Sequence, residues 1–69
     1  VPQDAAESVK WYRRAAEHGN AHAMGKLAFC YQNGFGVEKD ESEAMRYYQA
    51  AAENGDSGAL RKLRNLAGL

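Results

Sequence analysis

"AAEHGN", residues 15–20, joins the end of one helix to the start of another. Ala15, Ala16 and Glu17 suit a helix interior or last turn; Gly19 takes the left-handed conformation that closes a helix, and Asn20 is a good cap for the next one. The phrase returns as "AAENGD", residues 51–56, 36 positions later. Aligning residues 1–33 with residues 37–69 gives identity at Val1/Val37, Asp4/Asp40, Glu7/Glu43, Tyr12/Tyr48, Ala15/Ala51, Ala16/Ala52, Glu17/Glu53, Gly19/Gly55, Ala23/Ala59, Lys26/Lys62 and Leu27/Leu63. Chance would supply about two such matches in a chain of ordinary composition. Val9/Met45, Lys10/Arg46, Trp11/Tyr47, Asn20/Asp56 and Met24/Leu60 are conservative pairs. The chain is therefore a repeat, and a fixed period between about 20 and 50 residues marks a solenoid or array.

Each unit resolves into two helices, called here A and B. Asp4 with Glu7, and Asp40 with Glu43, have the spacing of a capping box at the start of helix B. In the second copy Ala44, Met45, Tyr48, Ala51 and Ala52 recur at i, i+1, i+4, i+7 and i+8, one helical face, with Glu43, Arg46, Gln49 and Glu53 on the solvated side. Ser8, Val9, Tyr12, Ala15 and Ala16 repeat that face in the first copy. Met24, Leu27, Ala28 and Tyr31 give helix A its apolar face. The glycines of "NGFGVEKD", residues 33–40, break helix A and lead to the next cap. The expected order is helix B over 4–18, helix A over 21–33, helix B over 41–54 and helix A over 57–67. The elbows leave no room for a loop, so consecutive helices are expected to pack antiparallel. The domain reading is a half repeat over 1–20, a full repeat over 21–56 and a degenerate terminal half repeat over 57–69. Since no hairpin buries its apolar face alone, the unit is copied and stacked.

Composition narrows the function. With nine basic and nine acidic residues in 69, the formal net charge is zero. That lacks the basic surplus of a nucleic-acid binder or of a surface drawn to anionic membranes. No apolar run approaches the ~20 residues of a membrane span. The single cysteine, Cys30, excludes an internal disulfide. The chain starts at Val1 without a methionine and reads as a piece of a longer protein.

At this point "AHAMGKLAFCYQNGFGVEKDESEAMRYYQAAAENG", residues 21–55, resembles a Sel1-like repeat, a family similar to tetratricopeptide repeats with a longer Gly-rich loop between its helices. Leu27, Tyr31, Gly34, Gly36, Val37, Asp40, Ala44, Tyr47, Tyr48, Ala51, Ala52 and Gly55 carry the match, and Val1, Asp4, Trp11, Tyr12, Ala15, Ala16, Gly19 and Asn20 match the second half of a preceding repeat. Ala28 stands where the family usually has glycine, and the last helix departs through Arg64 and Ala67. Cys30 lacks the mate found in the disulfide-bearing subgroup. The resemblance implies an all-α right-handed solenoid of four helices. It also implies a non-enzymatic scaffold for a protein or peptide, of a kind common in bacterial envelope, periplasmic, signalling and host-interaction proteins.

Several residues invite a chemical reading. His18 and His22 have the spacing of a helical metal pair, but Gly19-Asn20 breaks the helix between them and no third ligand is in register. Cys30 corresponds to Leu66 in the other copy, which favours an apolar, partly buried role over a nucleophile. "NGFGVEKD" lacks the Gly-Lys-Ser/Thr ending of a phosphate loop. Tyr12 and Tyr48 belong to the packed face, with Trp11 and Tyr47 beside it, against the neighbouring repeat. No metal or cofactor is expected. On the exposed side of helix A, His22, Lys26, Phe29 and Asn33 recur at i, i+4, i+7 and i+11, with Gln32 alongside. A helices line the concave side of such solenoids, so these residues, extended by Arg61 and Asn65 from the next A helix, are the expected partner-binding set. Phe29 is its centre, an aromatic on an otherwise polar face. The rival readings are a purely structural spacer or stacking segment, and a small hydrolase built on such repeats; a hydrolase would need a nucleophile, a base and an orienter in one cleft. The first helix, lacking a covering A helix over Val9, Trp11 and Tyr12, is expected to self-associate end to end, and the polar last helix to act as a cap.

Overall fold

The computed structural model describes residues 4–66 and 68. Four α-helices follow one another: α1 Ala5–Glu17, α2 Ala21–Asn33, α3 Glu41–Glu53 and α4 Ser57–Leu66. The fold is an all-α repeat solenoid, with no strand among the described residues. α1 and α3 are the B helices of the sequence reading, α2 and α4 the A helices. Each boundary lies within a residue of expectation; position 67, expected to end the last helix, falls outside the described residues.

The elbows explain why the phrase is repeated. At the first, Gly19 has φ of 86°, its N–H donates to Ala16 O at 2.9 Å, and the Asn20 N–H donates to Ala15 O at 3.1 Å. These are the paired bonds of a Schellman closure. Asn20 Oδ1 then accepts from Ala23 N at 3.0 Å and starts α2. The second elbow repeats this: Gly55 has φ of 101°, Gly55 N donates to Ala52 O, Asp56 N donates to Ala51 O at 2.9 Å, and Asp56 Oδ1 accepts from Gly58 N at 3.0 Å. One residue thus ends a helix and its neighbour begins the next, which forces the chain back on itself.

Only the second capping box is formed, and only by half. Asp40 Oδ1 accepts from Glu43 N at 3.1 Å, while the Glu43 carboxylate turns outward to an exposed ion pair with Arg46 at 2.7 Å. Asp4 accepts one residue earlier than a box requires, from Ala6 N. Between α2 and α3, Asp40 N donates to Tyr31 O and Phe35 N to Cys30 O, which ties the connector back onto α2. Gly36 matters most there: its φ is 77°, and a Cβ at that position would lie 2.4 Å from Ala5 O in the first turn of α1. The Gly-rich segment is therefore a close backbone contact between the full repeat and the half repeat before it.

The core forms two clusters that share Tyr47 as a packed neighbour. Val9, Leu27 and Cys30 make the first; Ala28, Ala44, Tyr48, Ala51 and Ala59 make the second. Tyr47 stacks on Tyr31 at 5.7 Å with the rings 8° from parallel, so its stacking partner belongs to the A helix of its own repeat and not to the neighbouring one; it also packs on the cluster that includes Val9. Met45 departs from the expected face and is 38% exposed, whereas its counterpart Val9 is buried. Val37 and Tyr47 pack on the Val9 cluster, whereas Met45 belongs to neither core cluster. Cys30 is buried outright rather than partly.

Burial pushes the Cys30 thiol up, and burial followed by the nearby Cys30 pushes the Tyr48 hydroxyl up. Both groups hold their protons more tightly in the folded chain. Their contribution to stability is complete below the ordinary thiol pKa, ~8.5, and is lost as pH rises through the raised folded values. The melting temperature is expected to fall on going from neutral pH to about pH 10.5, and to fall less at the start of that range in Cys30→Val. Parallel melts that give identical profiles for the two proteins would remove Cys30 from the effect.

Candidate groove between the A helices

Residues of α2 and α4, with α3 between them, line an open groove of about 280 Å³. His22, Gly25, Lys26 and Phe29 form the α2 wall; Gly58, Ala59 and Lys62 form the α4 wall; Tyr48 and Asp56 close the bottom. The groove exists because its walls carry small residues. Gly58 occupies the place of His22 in the repeat, so α4 presents bare backbone opposite a side chain. Gly25 admits the elbow: a Cβ there would meet Asp56 Oδ2 at 2.8 Å.

Phe29 is 46% exposed at this groove, while Leu27 and Ala28 beside it are fully buried. Residue 29 is carried to the open side by the helical turn, and only its main chain is used internally: Phe29 O accepts from Asn33 Nδ2 at 3.0 Å. Lys26 and Lys62 are exposed on opposite walls and form no ion pair among the described residues. Asp56 spends one carboxylate oxygen on capping α4. The groove is thus an apolar trough with a cation on each wall and a carboxylate at the elbow.

The expected binding residues divide. His22, Lys26 and Phe29 meet in the groove. Gln32 is half-buried and accepts from Tyr48 Oη at 2.8 Å, so its amide holds the floor tyrosine in place. Asn33 is exposed and folded back on its own helix. Arg61 and Asn65 lie outside this groove, in a separate depression on α4 with Ser57, Leu60 and Arg64. Lys62, Ala59 and Gly58 were missing from the expected set. The repeat itself points to them, since Lys62 is Lys26 advanced by 36. The expected set tracked the α4 positions that continue the surface beyond α4 and left out those facing α2.

The remaining candidates have structural partners or are exposed. His18 Nδ1 hydrogen-bonds Arg14 O at 2.8 Å, an attachment to the end of α1. Arg13 donates to Tyr31 Oη at 3.0 Å, linking α1 to α2. Trp11 is 55% exposed, with the Arg14 guanidinium 5.9 Å from its ring centre. Among the described residues no helix is long and apolar enough to cross a membrane.

Comparison with known proteins agrees with this architecture. The sequence model of the Sel1 repeat matches residues 1–20 and 21–56. The crystal structure of a Sel1 repeat protein from Oxalobacter formigenes is similar with a TM-score of 0.90 and 36% identity, over 96% of this chain and 27% of that one. This chain therefore spans about a quarter of that protein's length. Sel1 repeats generally serve as protein-interaction scaffolds and are generally non-enzymatic. Repeated elbows, paired helices and matched sequence together make this chain a member of the Sel1 repeat family.

Proposed function

We propose that this chain is a protein- or peptide-binding module that takes its partner along the exposed side of its A helices, with the groove between α2 and α4 as the central contact. The observation that carries this reading is Phe29, a large apolar side chain left open beside a trough walled by glycine and alanine. Aromatic anchors at the centre of a contact, ringed by polar groups, carry a disproportionate share of binding energy. Lys26 and Lys62 set the partner's chemistry: a segment with an aliphatic side chain for the trough and a neighbouring carboxylate for the lysines. His22 and Asn33 extend the rim of this contact along α2, Gln32 supports its floor, and Arg61 with Asn65 carries the same basic, polar character onto the outer side of α4.

Selection of a random peptide library on the immobilised protein tests the proposal. Enriched peptides are expected to place Asp or Glu beside Leu, Ile or Val, and to bind Lys26→Glu/Lys62→Glu more weakly, with an affinity that falls as salt is raised. Peptides without such acidic residues, or peptides that bind the charge-reversed protein equally well, would overturn the assignment.

A further inference from the structure

The two elbows do the same work with different chemistry. Asn20 caps α2 through Oδ1, which accepts from Ala23 N at 3.0 Å. Asp56, its counterpart 36 residues on, caps α4 through Oδ1, which accepts from Gly58 N at 3.0 Å. Capping uses one side-chain oxygen in each case, and Asn and Asp serve it about equally well. The charge on Asp56 is therefore more than the cap requires. Its second oxygen, Oδ2, accepts no hydrogen bond among the described residues. The carboxylate forms no ion pair among them either, although Lys26 and Lys62 line the same groove.

Two glycines keep this carboxylate bare. A Cβ on Gly25 would lie 2.8 Å from Oδ2, and one on Gly58 would lie 3.2 Å from Oδ1. Both glycines sit inside helices, where glycine is a poor helix former, and neither has a positive φ. Their backbone does not call for glycine; the space around the carboxylate does. The dipole of α4 favours a negative charge at this end, but it asks for no open space on the α2 side.

We propose that Asp56 is a specificity-determining residue of the groove, and that its Oδ2 receives a Lys or Arg side chain of the bound segment. The assignment rests on the reading of the groove as a peptide site and narrows the partner. The segment carries both signs of charge: a carboxylate for Lys26 and Lys62, and a cation for Asp56. Asp56 meets α2 at Gly25, one helical turn or about 6 Å from Phe29. An extended segment advances about 3.3 Å per residue, so the basic residue lies two positions from the aliphatic residue held at Phe29. A segment with acidic side chains alone brings its charge toward an unpaired carboxylate and is selected against.

The repeat supplies the variant that tests this. Asp56→Asn gives the second elbow the capping residue of the first, so its melting temperature is expected to change little. The same random peptide library is selected on the unsubstituted protein and on Asp56→Asn. The first selection is expected to enrich Lys or Arg two positions from the aliphatic residue. The second is expected to keep the acidic–aliphatic pair and lose the basic residue. Replacing that basic residue by Ala in an enriched peptide should weaken Kd about two- to fivefold on the unsubstituted protein and leave it unchanged on Asp56→Asn. Equal enrichment of the basic residue on both proteins, or an equal loss on both, would overturn the role of Asp56. If Lys26→Glu/Lys62→Glu weakens the peptides while Asp56→Asn selects the same sequences, the groove reading stands and the Asp56 assignment alone falls. Peptides indifferent to both sets of substitutions remove both.

Discussion

Leu27→Ala should leave this chain largely unfolded at room temperature. Leu27 is fully buried and, with Cys30, is one of the two largest side chains completely withdrawn from solvent. It sits where three segments meet: Val9, Tyr12 and Ala16 from α1, Val37 from the connector, and Tyr47 from α3 all pack on its cluster. Truncating a buried leucine removes its transfer energy and leaves a cavity, at a cost of about 2–5 kcal/mol. The upper half of that range applies here, because the surrounding helices are fixed by two-residue elbows and by the Gly36–Ala5 approach and have little freedom to collapse inward. A domain of this size buries only about 60% of its unfolded surface and has little stability to lose. A denaturant melt of wild type and variant measures the difference directly. A cost below about 1 kcal/mol would mean that Leu27 does not sit at the junction of α1, α2 and α3.

The same junction shows what a sequence makes visible. Leu27 was legible as core because it recurs as Leu63 and lies in phase with Met24, Ala28 and Tyr31. The elbows were legible because a left-handed glycine followed by Asn or Asp is a local requirement, satisfied within six residues of chain. Met45 was not. A period of 3.6 places residues 45 and 47 on opposite flanks of the Ala44/Tyr48 stripe, and the sequence pattern treats both flanks alike. The flank that is buried depends on which repeats stand before and after. Tyr47 stacks on Tyr31, whereas Met45 packs into neither core cluster.

The candidate site followed a similar division. The exposed side of α2 could be read from its own phase, and His22, Lys26 and Phe29 fall on the groove. The opposing wall required knowing how α4 faces α2. The first-turn position of α4 is Gly58, so the α4 wall is marked by an absent side chain, a feature that a search for binding residues passes over. Gln32 showed the opposite error. It lies on the polar side of α2 by phase, yet the Tyr48 hydroxyl reaches it from α3 and makes it part of the scaffold.

Phe29→Ala is expected to separate binding from folding. The residue is 46% exposed and belongs to neither core cluster, so removing its ring opens no cavity and should change the melting temperature little. The one internal bond at this residue, from Asn33 Nδ2 to Phe29 O, uses the main chain and survives the substitution. Against a peptide selected on the wild-type protein, the loss should be large. A central aromatic anchor typically contributes 2 kcal/mol or more on truncation, which is about a thirtyfold weakening of Kd. Lys26→Ala, at the rim, should cost less and mainly through the salt-dependent part of the affinity. Calorimetric titration of the same peptide into the three proteins, with thermal melts of each, reads both quantities. A sharp fall in melting temperature for Phe29→Ala with affinity intact would make Phe29 a packing residue and move the contact away from the α2–α4 groove. The expected pattern, a weakened peptide on an unchanged fold, would place the anchor on the one large apolar side chain that the groove leaves open.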